Sequence, residues 1–196
     1  MTTVFLDIDT QIDFMFPAGA LYVPGAEKIL PSIVRLNRFA AERGFQLVST
    51  MCAHSENDPE FKEWPPHCVV GTTGQQKPAD TLLDRSLTVT AQSASTEPRA
   101  LASGQIILEK QQIDLFTNPA LPDLLRRLNA GRYVVYGVVT EHCVRCAAFG
   151  LLDTKKPVTL VQDAIAEVDP VKADRVLREF VEKGGTLSTV SEICSQ

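Results

Sequence analysis

Asp9, Lys110 and Cys143 lie far apart in the chain, yet each stands at or just past the end of an apolar run that reads as a buried strand. A thiol, a carboxylate and an ammonium brought together are the parts of a nucleophilic hydrolysis. The sulfur attacks an acyl carbon, the carboxylate moves protons, and the ammonium holds the charges in place. Alone, each has an ordinary explanation: a turn residue, a solvated lysine, a small hydrophobe. Ligands of open parallel sheets bind outside the carboxyl ends of the strands, where these three would converge, and that favours the joint reading. Cys143 also opens a helical pattern. The free N–H groups and positive dipole end there favour a thiolate and could receive an oxyanion, and a neighbouring ammonium would favour the thiolate further. Cys146, one turn on, reads as packing.

The elements that must position these residues are legible as apolar runs at Val4–Asp9, Phe45–Met51, Gln105–Glu109, Tyr133–Val139 and Val158–Gln162, with a weaker one at Thr186–Val190. Most are near-continuous rather than alternating, as strands buried on both faces are. Helical patterns at Ala26–Arg43, Pro119–Ala130, Cys143–Asp153 and Val171–Lys183 separate several of them. The expected fold is α/β: a three-layer αβα sandwich around a doubly wound, mostly parallel sheet of about six strands, formed by residues 1–196 as a single domain. One segment, Ala53–Gly104, is rich in Pro, Gly, Ser and Thr and has little periodicity. A connection of that length inside a compact domain is a candidate for site formation. Thr81–Asp84 and Leu87–Val89 are candidate short elements within it.

The totals exclude some classes of function. The net charge of −5 carries no block of like charges, which argues against nucleic acid as a partner. No apolar run reaches the length of a membrane span, and no signal pattern opens the chain, so the expected location is cytoplasmic. The five cysteines are odd in number and irregularly spaced, so they read as thiols rather than staples. A homo-oligomer is the accompanying expectation for assembly.

A rival chemistry is written in Phe5–Thr10. FLDIDT places D-x-D-x-T after an apolar strand, which matches the nucleophile motif of haloacid-dehalogenase-type phosphatases with Asp7 as nucleophile. Thr50 and Lys110 would mimic the next motifs. The final acidic pair is missing, because Asp163 in VQDAIAEVD has no close acidic neighbour. That reading also leaves Cys143 idle. A non-catalytic binding protein on the same fold is the rival of another class.

Three segments, in order, carry a family resemblance. Asp9–Phe14 (DTQIDF), Glu63–Gly74 (EWPPHCVVGTTG) and Gly137–Ala148 (GVVTEHCVRCAA) together resemble the isochorismatase-like cysteine hydrolases, and most of all their nicotinamidase branch. The resemblance implies Asp9 as acid/base, Lys110 as its lysine and Cys143 as nucleophile. It implies an oxyanion hole from the Val139 and Cys143 amides, a cis bond at Val138–Val139, and Phe14 and Trp64 as pocket walls. It further implies a divalent metal, zinc favoured, on residues matching the family's ligands: Cys52 (in place of an aspartate), His54, Glu60 and His67. Thiolate, imidazole and carboxylate suit zinc. The alternative is that Cys52 fills apolar space, both histidines hydrogen-bond within the pocket, and no metal binds. The implied reaction is hydrolysis of nicotinamide to nicotinate and ammonia through a thioester. A metal-free hydrolysis of another small amide is the alternative.

Overall fold

The protein is described over residues 2–195 by a computed structural model. Strand β1 (Thr3–Ile8) is buried along its whole length, as its unbroken apolar character requires. It is joined by β2 (Gln46–Cys52), β3 (Ser86–Val89), β4 (Gln105–Lys110), β5 (Arg132–Val138), β6 (Val158–Ala166) and β7 (Thr186–Ser188). Among the described residues these make one seven-stranded sheet in the order β3-β4-β2-β1-β5-β6-β7. Every neighbouring pair is parallel. The strand beyond the expected six is β3, the short element foreseen at Leu87–Val89. It forms an edge, and only Val89 of its four residues is buried.

From β1 the chain winds outward to β2 and β4 on one side, then crosses back to β5, β6 and β7 on the other. Right-handed crossovers in opposite directions put their helices on opposite faces. Helix α2 (Ala26–Glu42) follows β1 and covers one face, with α7 (Val190–Cys194) against it. Helices α5 (Arg145–Asp153) and α6 (Pro170–Glu182) serve the β5-β6-β7 half and cover the other. The reversal between β1 and β5 is the switch point at which such sheets open a crevice. Asp9 and Cys143 flank it. The two backbones come unusually close there. Gly137 has φ +116°, and a Cβ on it would strike the Ile8 carbonyl.

Several boundaries differ from the sequence expectation for physical reasons. Helix α4 (Leu121–Leu128) stops at Asn129, which adopts φ 43° and ends the helix before Gly131 is reached. Helix α5 starts at Arg145 rather than at Cys143. Residues Thr140–Val144 form a wider π turn, in which the Val144 N–H donates to the Val139 carbonyl at 3.1 Å. Strand β6 runs four residues past Gln162 because it re-pairs with β5 after a register shift between Val135 and Gly137. Within the segment expected to form the site, the chain makes short 3-10 turns at Pro59–Lys62 and Ala79–Thr81, then β3 and helix α3 (Pro98–Leu101). A further short helix, α1 (Ile12–Met15), follows β1. No helix among the described residues is long and apolar enough to cross a membrane.

Candidate active site

Asp9, Lys110 and Cys143 meet at the carboxyl edge of the sheet. Lys110 ends β4, two strands from β1, and reaches back over β2. Its Nζ lies 2.8 Å from Asp9 Oδ2, 3.6 Å from the Cys143 sulfur and 3.0 Å from the Gln112 carbonyl. The Cys143 thiol hydrogen-bonds Asp9 in turn. Asp9 is turned to this face by its own backbone. Alternation along β1 would put it on the side of Asp7, but it lies past the strand with φ 46°. The Thr50 hydroxyl then donates to Asp9 Oδ1 at 2.6 Å.

The charges follow from burial and partners. Burial pushes the Asp9 carboxyl upward, but Lys110 and the hydrogen bonds from Cys143, Lys110 and Thr50 outweigh it and hold Asp9 below the usual carboxylate range. Burial pushes Lys110 downward, and the negative charge of Asp9 reverses that, so its ammonium is held well above its ordinary value. For Cys143 burial is the largest influence and Asp9 adds to it. The attraction of Lys110 does not compensate, and the thiol sits well above its usual value. Burial thus works against the thiolate that a helix start and a nearby ammonium favour, while the pairing of Asp9 with Lys110 favours the charged form of each.

Around this triangle lies a small, mostly apolar pocket of about 130 Å³. Phe14 and Trp64 line it, as the sequence suggested, and so do Leu21, Val23, Ile113 and Val168. Trp64 packs edge-on against His142, with ring centroids 5.5 Å apart. The Val138–Val139 peptide is cis, and both valines line the pocket beside Cys143.

Of the four residues considered as metal ligands, the fold gathers three. His54, Glu60 and His67 offer ligand atoms within 4.8 Å of one another. Cys52 is placed elsewhere. It pairs in register with Lys110, and its sulfur lies 3.2 Å from Lys110 Nζ and 3.8 Å from Asp9 Oδ2. Burial, then the charge of Asp9, pushes this thiol up to about 12, so it is neutral. The trio does fit a divalent ion. His54 is fully buried, and its Nε2 has no partner among the described residues. Two imidazoles and one carboxylate are a donor set that zinc accepts.

Other residues hold the site, and sequence reasoning assigned them no role. Gln11 clamps the Cys52 backbone: its Nε2 donates to the Cys52 carbonyl at 2.9 Å and its Oε1 accepts the Cys52 N–H at 2.7 Å. Asp13 accepts the N–H groups of Ala20 at 2.9 Å and Cys68 at 2.7 Å, tying both segments to α1. Both were visible in DTQIDF, but their partners are backbone groups that no spacing reveals. Asp58 stands beside His54. Asp7, the nucleophile of the phosphatase reading, is fully buried and lines no part of the pocket. Its carboxylate is occupied by Lys77 at 3.1 Å, Ser49 at 3.1 Å, Asn37 and Thr10. That reading fails.

The chain is similar to known proteins. A pyrazinamidase of Pyrococcus horikoshii, solved in complex with zinc, is 30% identical and superposes with a TM-score of 0.76 over 96% of this chain and 99% of that one. The nicotinamidase of Saccharomyces cerevisiae is 22% identical, covering 88% of this chain and 93% of that protein. A probable inactive nicotinamidase of Arabidopsis thaliana is 24% identical, over 86% of this chain and 82% of its own. A family model described as the isochorismatase domain matches residues 3–192. A sheet whose switch point assembles an acid, a lysine and a thiol, matched by that model almost from end to end, makes this chain a member of the isochorismatase family.

Proposed function

We propose that the chain hydrolyses a small primary amide through a thioester on Cys143, with nicotinamide the favoured substrate. The observation that carries this is the buried triangle of Asp9, Lys110 and Cys143. A thiol beside an ionised carboxylate needs no separate activation, because Asp9 takes its proton as the sulfur attacks. Lys110 keeps Asp9 ionised beforehand and balances the charge that appears on sulfur. The Val139 and Cys143 amides receive the oxygen as the carbonyl carbon becomes tetrahedral. Collapse breaks the C–N bond, and Asp9 returns its proton to the leaving nitrogen, releasing ammonia. Water then attacks the thioester, Asp9 takes a proton from it, and the acid leaves as Cys143 regains its hydrogen.

The small apolar pocket suits a flat, uncharged ring between Phe14 and Trp64. His54, Glu60 and His67 would hold a divalent ion at its side. Such an ion, if bound, would supply a Lewis acid at the side of the substrate pocket. The zinc complex of the pyrazinamidase supports this reading.

The test is ammonia release over a panel of amides that includes nicotinamide, pyrazinamide, benzamide and short aliphatic amides. Release from the pyridine and pyrazine amides, lost in Cys143→Ala, is the expected result. No release from any amide by the folded wild-type chain would overturn the enzymatic reading and favour a binding protein on this fold. Release that survives in Cys143→Ala would overturn the cysteine mechanism.

A further inference from the structure

The three candidate ligands are arranged by a carboxylate outside the set. Asp58 Oδ2 lies 3.1 Å from His54 Nδ1, with both side chains nearly or fully withdrawn from solvent. The contact is close, but neither ring nitrogen of His54 makes a hydrogen bond among the described residues. The other oxygen, Oδ1, accepts the Glu60 N–H at 3.0 Å and caps the Pro59–Lys62 turn on which Glu60 sits. One side chain therefore positions two of the three residues. A carboxylate only accepts, so the His54 ring proton belongs on Nδ1, and Nε2 keeps its lone pair. That Nε2 is buried and unpartnered among the described residues. A buried polar atom left unpaired is costly, so a cation there satisfies what the fold leaves open. His67 repeats the pattern, with Nδ1 2.8 Å from the Pro65 carbonyl.

Cys52 is held in the opposite sense. Its sulfur faces the Lys110 ammonium at 3.2 Å. A divalent ion on the same sulfur would stand against that ammonium in a buried, low-dielectric place.

We propose that the chain takes a divalent ion on His54, Glu60 and His67 alone, that Asp58 is the positioning residue that sets the His54 tautomer and the Glu60 turn, and that Cys52 stays outside the coordination shell as a partner of the catalytic pair. This rests on the metal reading of the same site. Zinc affinity of the purified full chain, measured by competition with a chromophoric chelator, tests it without using activity. Asp58→Asn keeps an oxygen for the Glu60 N–H but turns an amide N–H toward His54. The ring proton then moves to Nε2 and blocks the ligating lone pair. The expected loss in zinc affinity is about 10–100-fold, the range typical for partners of metal-bound histidines. Asp58→Glu, which keeps an acceptor, should bind more tightly than Asp58→Asn. Cys52→Ala should bind zinc as wild type does, and the cobalt-loaded wild type should lack a sulfur-to-cobalt charge-transfer band.

Wild-type affinity in Asp58→Asn, or Asp58→Glu binding no better than Asp58→Asn, would overturn the role of Asp58. A charge-transfer band that disappears in Cys52→Ala would overturn the exclusion of Cys52. A wild-type chain that takes up no zinc would overturn this proposal and the metal reading together. The ammonia assay would still report separately on Cys143.

Discussion

Asp7 and Asp9 stand two residues apart at the end of β1, yet each is paired with a different buried lysine: Asp7 with Lys77 at 3.1 Å and Asp9 with Lys110 at 2.8 Å. The left-handed backbone of Asp9 separates them. Asp7 is enclosed with Asn37 of α2, and Asp9 faces the pocket. One pair lines the pocket, and the other is enclosed in the structure beneath it.

Asp9→Asn removes the proton carrier and leaves its side chain nearly isosteric. The amide rate should fall by about 10²–10⁴, the usual contribution of a general acid–base. Single-turnover ammonia release measures this, and a rate within threefold of wild type would remove Asp9 from the mechanism.

Lys77→Met strands the Asp7 carboxylate in the interior, and breaking a buried pair from one side costs about 3–5 kcal/mol. The combined Asp7→Asn, Lys77→Met chain removes both charges and should recover much of that loss. Urea titrations of the three proteins give the comparison. Recovery absent from the double variant would mean that Lys77 acts through packing instead.

The pair of Asp9 and Lys110 has a predictable dependence on pH. Asp9 is held below its ordinary value of 3.8 in the fold, so its contribution is complete above 3.8 and fades as pH falls through the lower folded value. Lys110 is held above 10.5, so its contribution is complete below that and is lost only as pH rises past the higher folded value. The stability difference between wild type and Asp9→Asn should therefore be flat through neutral pH and shrink below pH 3.8. Urea midpoints of both proteins across that range check it. A difference that instead shrinks between pH 5 and 8 would contradict the assigned charges.

Cys143→Ala should abolish turnover and leave the fold in place. A small buried side chain is replaced by a smaller one, at a cost near the roughly 1 kcal/mol typical of single substitutions. Circular dichroism and a thermal melt, taken beside the ammonia assay, separate loss of chemistry from loss of structure.

The meeting of Asp9, Lys110 and Cys143 was legible because a parallel sheet delivers its strand ends to one edge, and each of the three marks such an end. The seventh strand was harder to see. Residues Ser86–Val89 are short and mostly exposed, so they lack the apolar run that announced the others. For Cys143 the helix start is visible in sequence, but the depth of burial that pushes its thiol upward is not. Cys52 was grouped with His54 by the family resemblance, but that resemblance says nothing of the Lys110 ammonium that faces its sulfur. Asp58 lies in a segment without periodicity, and only the folded chain shows that it serves two neighbours at once.

The segment between β2 and β4 gives the pocket Glu60, Trp64 and His67, while Asp9, Lys110 and Cys143 come from the sheet itself. Part of the pocket wall is thus encoded apart from the strand ends that bring Asp9, Lys110 and Cys143 together, so residues 53–104 can vary in sequence while those strand ends stay as they are.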